Sequence, residues 1–296
     1  MKFTFSYDLR VTGMECPKSL AFDFAGSLYV GCCGWNGGVQ KFERDADGGF
    51  KPSWSLPLKK VMGIAVGPNG NVYMSRKENN THEMRAHSAQ GELLKTWGSI
   101  GAEEGQFSTP VGVATDSAGC VYGVEASSWP FVTRGNEQVP GGMRVQKFDA
   151  DGNFIRAWGA YGFEDGQFNV PTGIAIDRFD RVYVADTHNC RVQKFDRDGV
   201  FLRAWGIFGE ADGRFNCPQG IAVDPMGDVF VADTLNNRVQ QFSPRGEWMA
   251  TVGSSEDFWL PCGIAFDREG VMAVADTMNH RIRIFNPVNP VILAKK

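Results

Sequence analysis

Pro171-Thr172-Gly173-Ile174-Ala175-Ile176-Asp177, then Val182-Tyr183-Val184-Ala185-Asp186-Thr187, Arg191-Val192-Gln193-Lys194-Phe195-Asp196 and Phe201-Leu202-Arg203-Ala204-Trp205-Gly206, form four short apolar runs separated by turn formers. The same runs return from Pro218 to Asp224, Val229 to Thr234, Arg238 to Phe242 and Trp248 to Gly253. A third copy opens at Pro261-Cys262-Gly263-Ile264-Ala265-Phe266-Asp267 and continues through Ala275-Asp276-Thr277-Met278-Asn279-His280-Arg281-Ile282. Weaker openings stand upstream at Pro17 to Asp23, Val61 to Val66 and Pro110 to Ala114. Counted from the Gly173 position, with Ser19 in that slot of the first unit, the six openings lie 44, 49, 61, 47 and 43 residues apart. Self-similarity at this period marks a stacked-repeat architecture.

Each unit holds β-rich runs bounded by Gly, Asp, Asn and Pro, which predicts four antiparallel strands with no crossover helix. Asn69-Gly70, Asp151-Gly152 and Asp198-Gly199 supply the left-handed backbone of tight hairpins. A lone four-stranded sheet cannot bury both faces, so the six must stack around an axis. The fold class is therefore all-β: one six-bladed β-propeller over residues 1–296, with blades opening near 17, 61, 110, 171, 218 and 261. Trp54, Trp97, Trp158 and Trp205 recur at the end of the fourth strand, where a large ring packs between neighbouring blades. Phe3 to Leu9 stand where a fourth strand of blade 6 is missing and are expected to close the ring; Val291-Ile292-Leu293 compete for that slot.

Composition bounds the function. With 43% hydrophobic and 22% charged residues the chain can bury a large core. A net charge of −4 gives no global attraction to phosphate backbones. The first eight residues lack a signal-peptide apolar run, and no segment is long enough to span a bilayer. Seven cysteines without paired spacing read as reduced thiols, so a cytoplasmic repeat protein is expected.

The repeated Asp-Thr-x-Asn-x-Arg-Val, with a literal Asn279-His280 and the later Ile282, resembles the NHL repeat over essentially the whole chain. That resemblance implies the propeller fold and says little of function.

Propeller loops sort onto two faces. The loops joining strands b and c, and those joining strand d to the next blade, share one of them. In blades 4 to 6 the short b–c loops carry Asp186 with Arg191, Asp233 with Arg238, and Asp276 with Arg281, read as structural cross-links. Blades 1 to 3 depart at this loop. Blade 1 places Cys32 and Gly38 in the two slots and reads Cys32-Cys33-Gly34-Trp35; blade 2 runs from Arg76 to Glu83; blade 3 inserts Ala126 to Met143. Repeat proteins place function in such irregular segments. Trp35, Trp129 and Phe131 are the apolar anchors expected for a partner, with Arg76, Lys77, His82 and Arg134 as polar contacts.

A second candidate is the channel mouth, where Glu15, Lys59, Ser108, Asn169, Asn216 and Trp259 take equivalent slots. Glu15, Asn169 and Asn216 are the candidate oxygen ligands for a divalent cation. Glu15-Cys16-Pro17 is similar to the Glu-Gly-Pro opening of gluconolactonase-like propellers, whose remaining metal pattern is absent here. Cys16, Cys217 and Cys262 lie beside this ring and read as small buried side chains. None of the four histidines sits beside an evident nucleophile and carboxylate. The leading expectation is a non-catalytic protein-recognition or complex-assembly scaffold with a protein partner, no cofactor and no membrane contact. The alternatives are a metal-dependent hydrolase or lyase of the gluconolactonase-like type and, third, RNA binding on a local basic patch.

Overall fold

The computed structural model describes residues 2–10, 15–34, 37–79, 81–126, 131–134, 137–140 and 142–288. Six four-stranded antiparallel sheets make the blades, each running from an inner strand a to an outer strand d. Blade 4 is the plainest: Pro171–Ile176, Val182–Asp186, Arg191–Phe195 and Phe201–Trp205. Strand a of the others begins at Pro17, Val61, Pro110, Pro218 and Pro261. Blade 6 takes Pro261–Phe266, Met272–Asp276 and Arg281–Pro287 from the C-terminal part, and Phe3–Arg10 as its outer strand. The N-terminal strand therefore closes the ring, paired from Phe3↔Pro287 to Arg10↔Arg281. Val291 to Leu293 lie outside the described residues.

The core lies between blades. Strand b is buried along all five residues in blade 4, because neighbouring sheets cover both its faces. At the junction of blades 4 and 5, Tyr183, Ala185 and Val192 meet Phe215, Ile221, Val231 and Phe242, and similar clusters recur round the ring. Each fully buried large apolar side chain contributes roughly 1.5–3 kcal/mol relative to exposure. The recurring tryptophans seal these junctions from outside. Trp158 packs on Phe195 of the next blade at 6.1 Å and covers Gly199, whose φ of +82° makes the Asp-Gly turn. Phe3 joins the scheme edge-on to Phe230 at 5.5 Å.

The inner strands approach so closely that the slot opened by Gly173 admits almost no side chain. A Cβ on Gly220 would overlap the Cys262 carbonyl oxygen of the next blade. In blade 1 the slot holds Ser19, whose Oγ accepts the Ile64 N–H of blade 2 at 2.8 Å. Hydroxyls on the b–c turns add further ties between blades: Thr187 Oγ1 donates to the Pro218 carbonyl at 2.7 Å, Thr234 Oγ1 to Pro261 at 2.8 Å, and Thr277 Oγ1 to Pro17 at 2.7 Å. The last of these links blade 6 to blade 1. Arg281 reinforces the closure, with Nη1 2.7 Å from Asp8 Oδ2.

Gly220→Ala should destabilise the ring by about 2–3 kcal/mol, because backbone and not a flexible side chain must yield. Urea unfolding monitored by tryptophan fluorescence reads this as a lower midpoint; an unchanged midpoint would show that the inner strands are loosely seated.

Candidate functional site

The face bearing the b–c and d–a loops is organised around buried carboxylates. Asp186 ends strand b of blade 4 with no solvent exposure. Its oxygens accept the Asn169 N–H at 2.7 Å, Asn189 Nδ2 at 2.9 Å, Arg191 Nε at 2.8 Å and Gln193 Nε2 at 3.0 Å. Arg191 and Gln193 in turn donate to the carbonyls of Glu164 and Gln167, which fixes the d–a loop. Blade 5 repeats this with Asp233, Asn216, Asn236, Arg238 and Gln240. Blade 6 repeats it with Asp276, Trp259, Asn279 and Arg281, the ion pair closing at 2.7 Å.

Blade 3 keeps the device with Glu125, which accepts from the Ser108 N–H at 2.7 Å, Arg144 Nε at 2.7 Å and Gln146 Nε2 at 2.8 Å. The insertion between Glu125 and Arg144 hides it in sequence; the surviving signal is Arg144-Val145-Gln146-Lys147-Phe148 beside Arg191 to Phe195. Blade 2 carries the pair with its polarity reversed. Arg76 and Glu83 face each other in register where Asp186 faces Arg191, with Arg76 Nη1 3.2 Å from Glu83 Oε1. Where Asp186 accepts a backbone N–H from the preceding loop, Arg76 Nε donates to the Lys59 carbonyl at 3.1 Å. Arg76 also pairs with Glu78. Blade 1 sets Cys32 opposite Gly38, and burial pushes the Cys32 thiol up to about 12.

The expected contact residues divide. Trp35 and Trp129 lie outside the described residues. Phe131 and Arg134 bound one strand of a separate two-stranded hairpin, Phe131–Arg134 with Glu137–Pro140, that grows from the b–c connection of blade 3. Lys77 and His82 turn toward blade 3. Lys77 Nζ donates to Thr109 Oγ1 at 3.1 Å, and His82, 3% exposed, places Nδ1 3.2 Å from the Phe107 carbonyl. Burial lowers the pKa of both side chains. Arg76, Lys77 and His82 thus hold blade 2 together and dock it on the next loop.

Apolar groups that the repeat pattern disguises stand on the same face. The d–a loops Gly159-Ala160-Tyr161-Gly162 and Gly206-Ile207-Phe208-Gly209 raise Tyr161, Ile207 and Phe208 into solvent, Phe208 at 68% exposure. Phe163 stacks edge-on against Tyr161 at 5.9 Å. Leu235 and Met278 project from the b–c turns of blades 5 and 6, and Trp259 at 53% from the loop between those blades. These loops are held firmly, since parallel bridges join Tyr161 to Phe168 and Phe208 to Phe215.

At the channel mouth, Ser108 is buried against Glu125, Glu15 is exposed, and Asn169 and Asn216 are half-buried with their N–H groups committed to Asp186 and Asp233. Among the described residues no group of three His, Cys, Asp or Glu side chains is arranged to hold a metal ion. Cys262 points its thiol at Gln219 Oε1, 3.5 Å away, and burial raises its pKa along with those of Cys16 and Cys217. The channel itself is a cavity of about 90 Å³ lined by the six inner strands.

A family model described as the NHL repeat matches residues 168–195 and 215–242, the first three strands of blades 4 and 5 with the residues just before them. A RING finger protein of Caenorhabditis elegans, nhl-1, is 31% identical over 115 residues, 39% of this chain and 10% of that protein. The match thus spans about a tenth of that relative's length. The fold is similar to virginiamycin B lyase from Staphylococcus aureus, with TM-score 0.63 and 16% identity over 97% of this chain and 100% of that one. A gluconolactonase from Xanthomonas campestris gives TM-score 0.65 and 13% identity over 97% of each chain. An auxiliary nutrient binding protein from Bacteroides thetaiotaomicron gives 0.66 and 15% over 97% and 73%. At these identities the likeness is one of fold.

Two measurements check the local chemistry. Arg76→Asp or Glu83→Arg alone should each lower stability by about 3 kcal/mol, since either leaves like charges in a mostly buried pair. The combined exchange restores the polarity of blades 4 to 6 and should recover most of the loss in urea melts; an additive loss would contradict the reversed-pair reading. His82 has a folded pKa below its unfolded value, so the unfolded state binds the proton first. Stability is then full above about pH 6.5 and declines as pH falls below it. His82→Gln should flatten the fall in melting temperature between pH 7 and pH 5, and an equal slope in the variant would contradict this.

Proposed function

We propose that this chain, an NHL-repeat six-bladed β-propeller, is a non-catalytic protein-recognition or complex-assembly module whose partner docks on the face formed by the b–c and d–a loops. One observation carries the reading. Tyr161, Phe163, Ile207, Phe208, Leu235 and Trp259 stand exposed on a single face, on loops that buried ion pairs and backbone bridges hold in place. Exposed aromatic and aliphatic groups on a rigid support lose little conformational entropy when covered, which is the pattern of interface anchors. The irregular connections of blades 1 to 3 belong to the same set of loops, and that of blade 3 includes a separate two-stranded hairpin. Asn169 and Asn216, half-buried at the channel mouth, add polar side chains to the same face.

The test is native purification of the tagged chain from its source cells, with co-eluting proteins quantified by mass spectrometry. A stoichiometric companion should accompany the wild type. It should be lost, with the melting temperature unchanged, from Phe208→Ser/Trp259→Ser and from Trp129→Ala/Phe131→Ala. Retention of the companion by both variants would place docking elsewhere. A chain that elutes alone and turns over a lactone would replace recognition by catalysis.

A further inference from the structure

The opposite mouth of the channel, where strands a turn into strands b, holds a second concavity of about 460 Å³, within the range of small-molecule sites. Its floor is apolar: Phe22, Val66, Ile176, Val223 and Phe266 end the inner strands of five blades and stay half-buried. The residues that rim it differ from blade to blade. Blade 1 contributes Phe24, 53% exposed, blade 4 Arg178, blade 5 Pro225 and blade 6 Arg268. The Arg268 guanidinium lies over the Phe24 ring at 3.9 Å and that of Arg178 over Phe179 at 4.8 Å. Neither arginine meets a carboxylate among the described residues.

The carboxylates beneath the rim are largely neutralised. Asp177 pairs with Arg181 at 2.7 Å, Asp267 with Arg44 at 2.7 Å, and Asp23 has Lys41 at 3.9 Å. Asp224 differs. In blades 1, 3 and 4 the equivalent Oδ2 accepts a tyrosine hydroxyl, from Tyr29, Tyr122 and Tyr183 at 3.2, 2.9 and 3.0 Å. Blade 5 has Phe230 there, so Asp224 Oδ2 is buried without a hydrogen-bond partner, and burial raises its pKa. Arg178 and Arg268 therefore stand at the rim as cations that meet no carboxylate among the described residues.

We infer that this bowl is a binding site for a small organic anion with an apolar, preferably aromatic, body. The body would cover the floor and stack beside Phe24, while its carboxylate or sulfonate takes Arg178 and Arg268 as charge-assisted donors. The site lies on the face opposite the proposed docking loops, so the two can be occupied together.

The probe is anilinonaphthalene sulfonate, titrated by fluorescence and calorimetry against the folded chain, with neutral N-phenylnaphthylamine as the uncharged comparison. One saturable site per chain is expected. Arg178→Gln/Arg268→Gln should weaken the sulfonate roughly tenfold or more while leaving the neutral probe within about twofold. Phe24→Ala should weaken both, and Phe208→Ser/Trp259→Ser should change neither. Circular dichroism and an unchanged melting temperature confirm that each variant stays folded. Absence of a saturable site, equal sulfonate affinity in the double arginine variant, or loss of binding in the loop-face variant would each overturn the assignment. None of these outcomes bears on partner capture, so this site and the docking face fail or stand separately.

Discussion

A carboxylate without access to water stands at the end of strand b in four consecutive blades, as Glu125, Asp186, Asp233 and Asp276. A bare charge at such a depth would be prohibitive. Each is instead surrounded by an arginine and by amide donors, which also hold the preceding d–a loop: Arg191 reaches Glu164 and Gln167, and Arg238 reaches Ala211 and Arg214. The result is a loop face whose shape is set from inside. Exposed side chains such as Phe208 and Tyr161 sit on backbone tied by these bonds and by parallel bridges, so covering them would cost little ordering.

Division of labour follows from the ring. Inner strands must pass within backbone contact of one another, so their slots are glycine or, once, serine, and the channel is nearly filled. Variation is left to the two ends, where turns and connections differ between blades without disturbing the junction cores. One end carries an apolar, firmly braced face with a hairpin at blade 3; the other carries a bowl whose two rim arginines meet no carboxylate among the described residues.

The fold was legible because the blades repeat the same backbone requirements with few exceptions: an inner glycine in five of them, a glycine at the tight turns, and a sealing tryptophan in four. Counting strands left one open slot in blade 6, with Phe3 to Leu9 and Val291 to Leu293 as rivals for it, and the pairing of Phe3–Arg10 fills it. Function was less legible, and for specific reasons. Arg144 is separated from Glu125 by a long insertion, which conceals a preserved ion pair. Arg76 and Glu83 looked like an irregular charged loop because a reversed pair breaks a motif while keeping its physics. His82 looked accessible because burial by the neighbouring blade depends on contacts distant in sequence. Phe208 and Tyr161 were absorbed into the repeat, since periodic aromatics normally signal core. The bowl depends on residues that follow each strand a and become neighbours only when the ring closes.

Hydrogen–deuterium exchange, with and without a partner captured by native purification, tests the proposed docking face most directly. Binding should slow exchange in the d–a loops at 159–168 and 206–215 and in the hairpin at 131–140, leaving the a–b turns at 177–181 and 224–228 unchanged. Protection confined to those turns or to the outer strands would contradict the assignment.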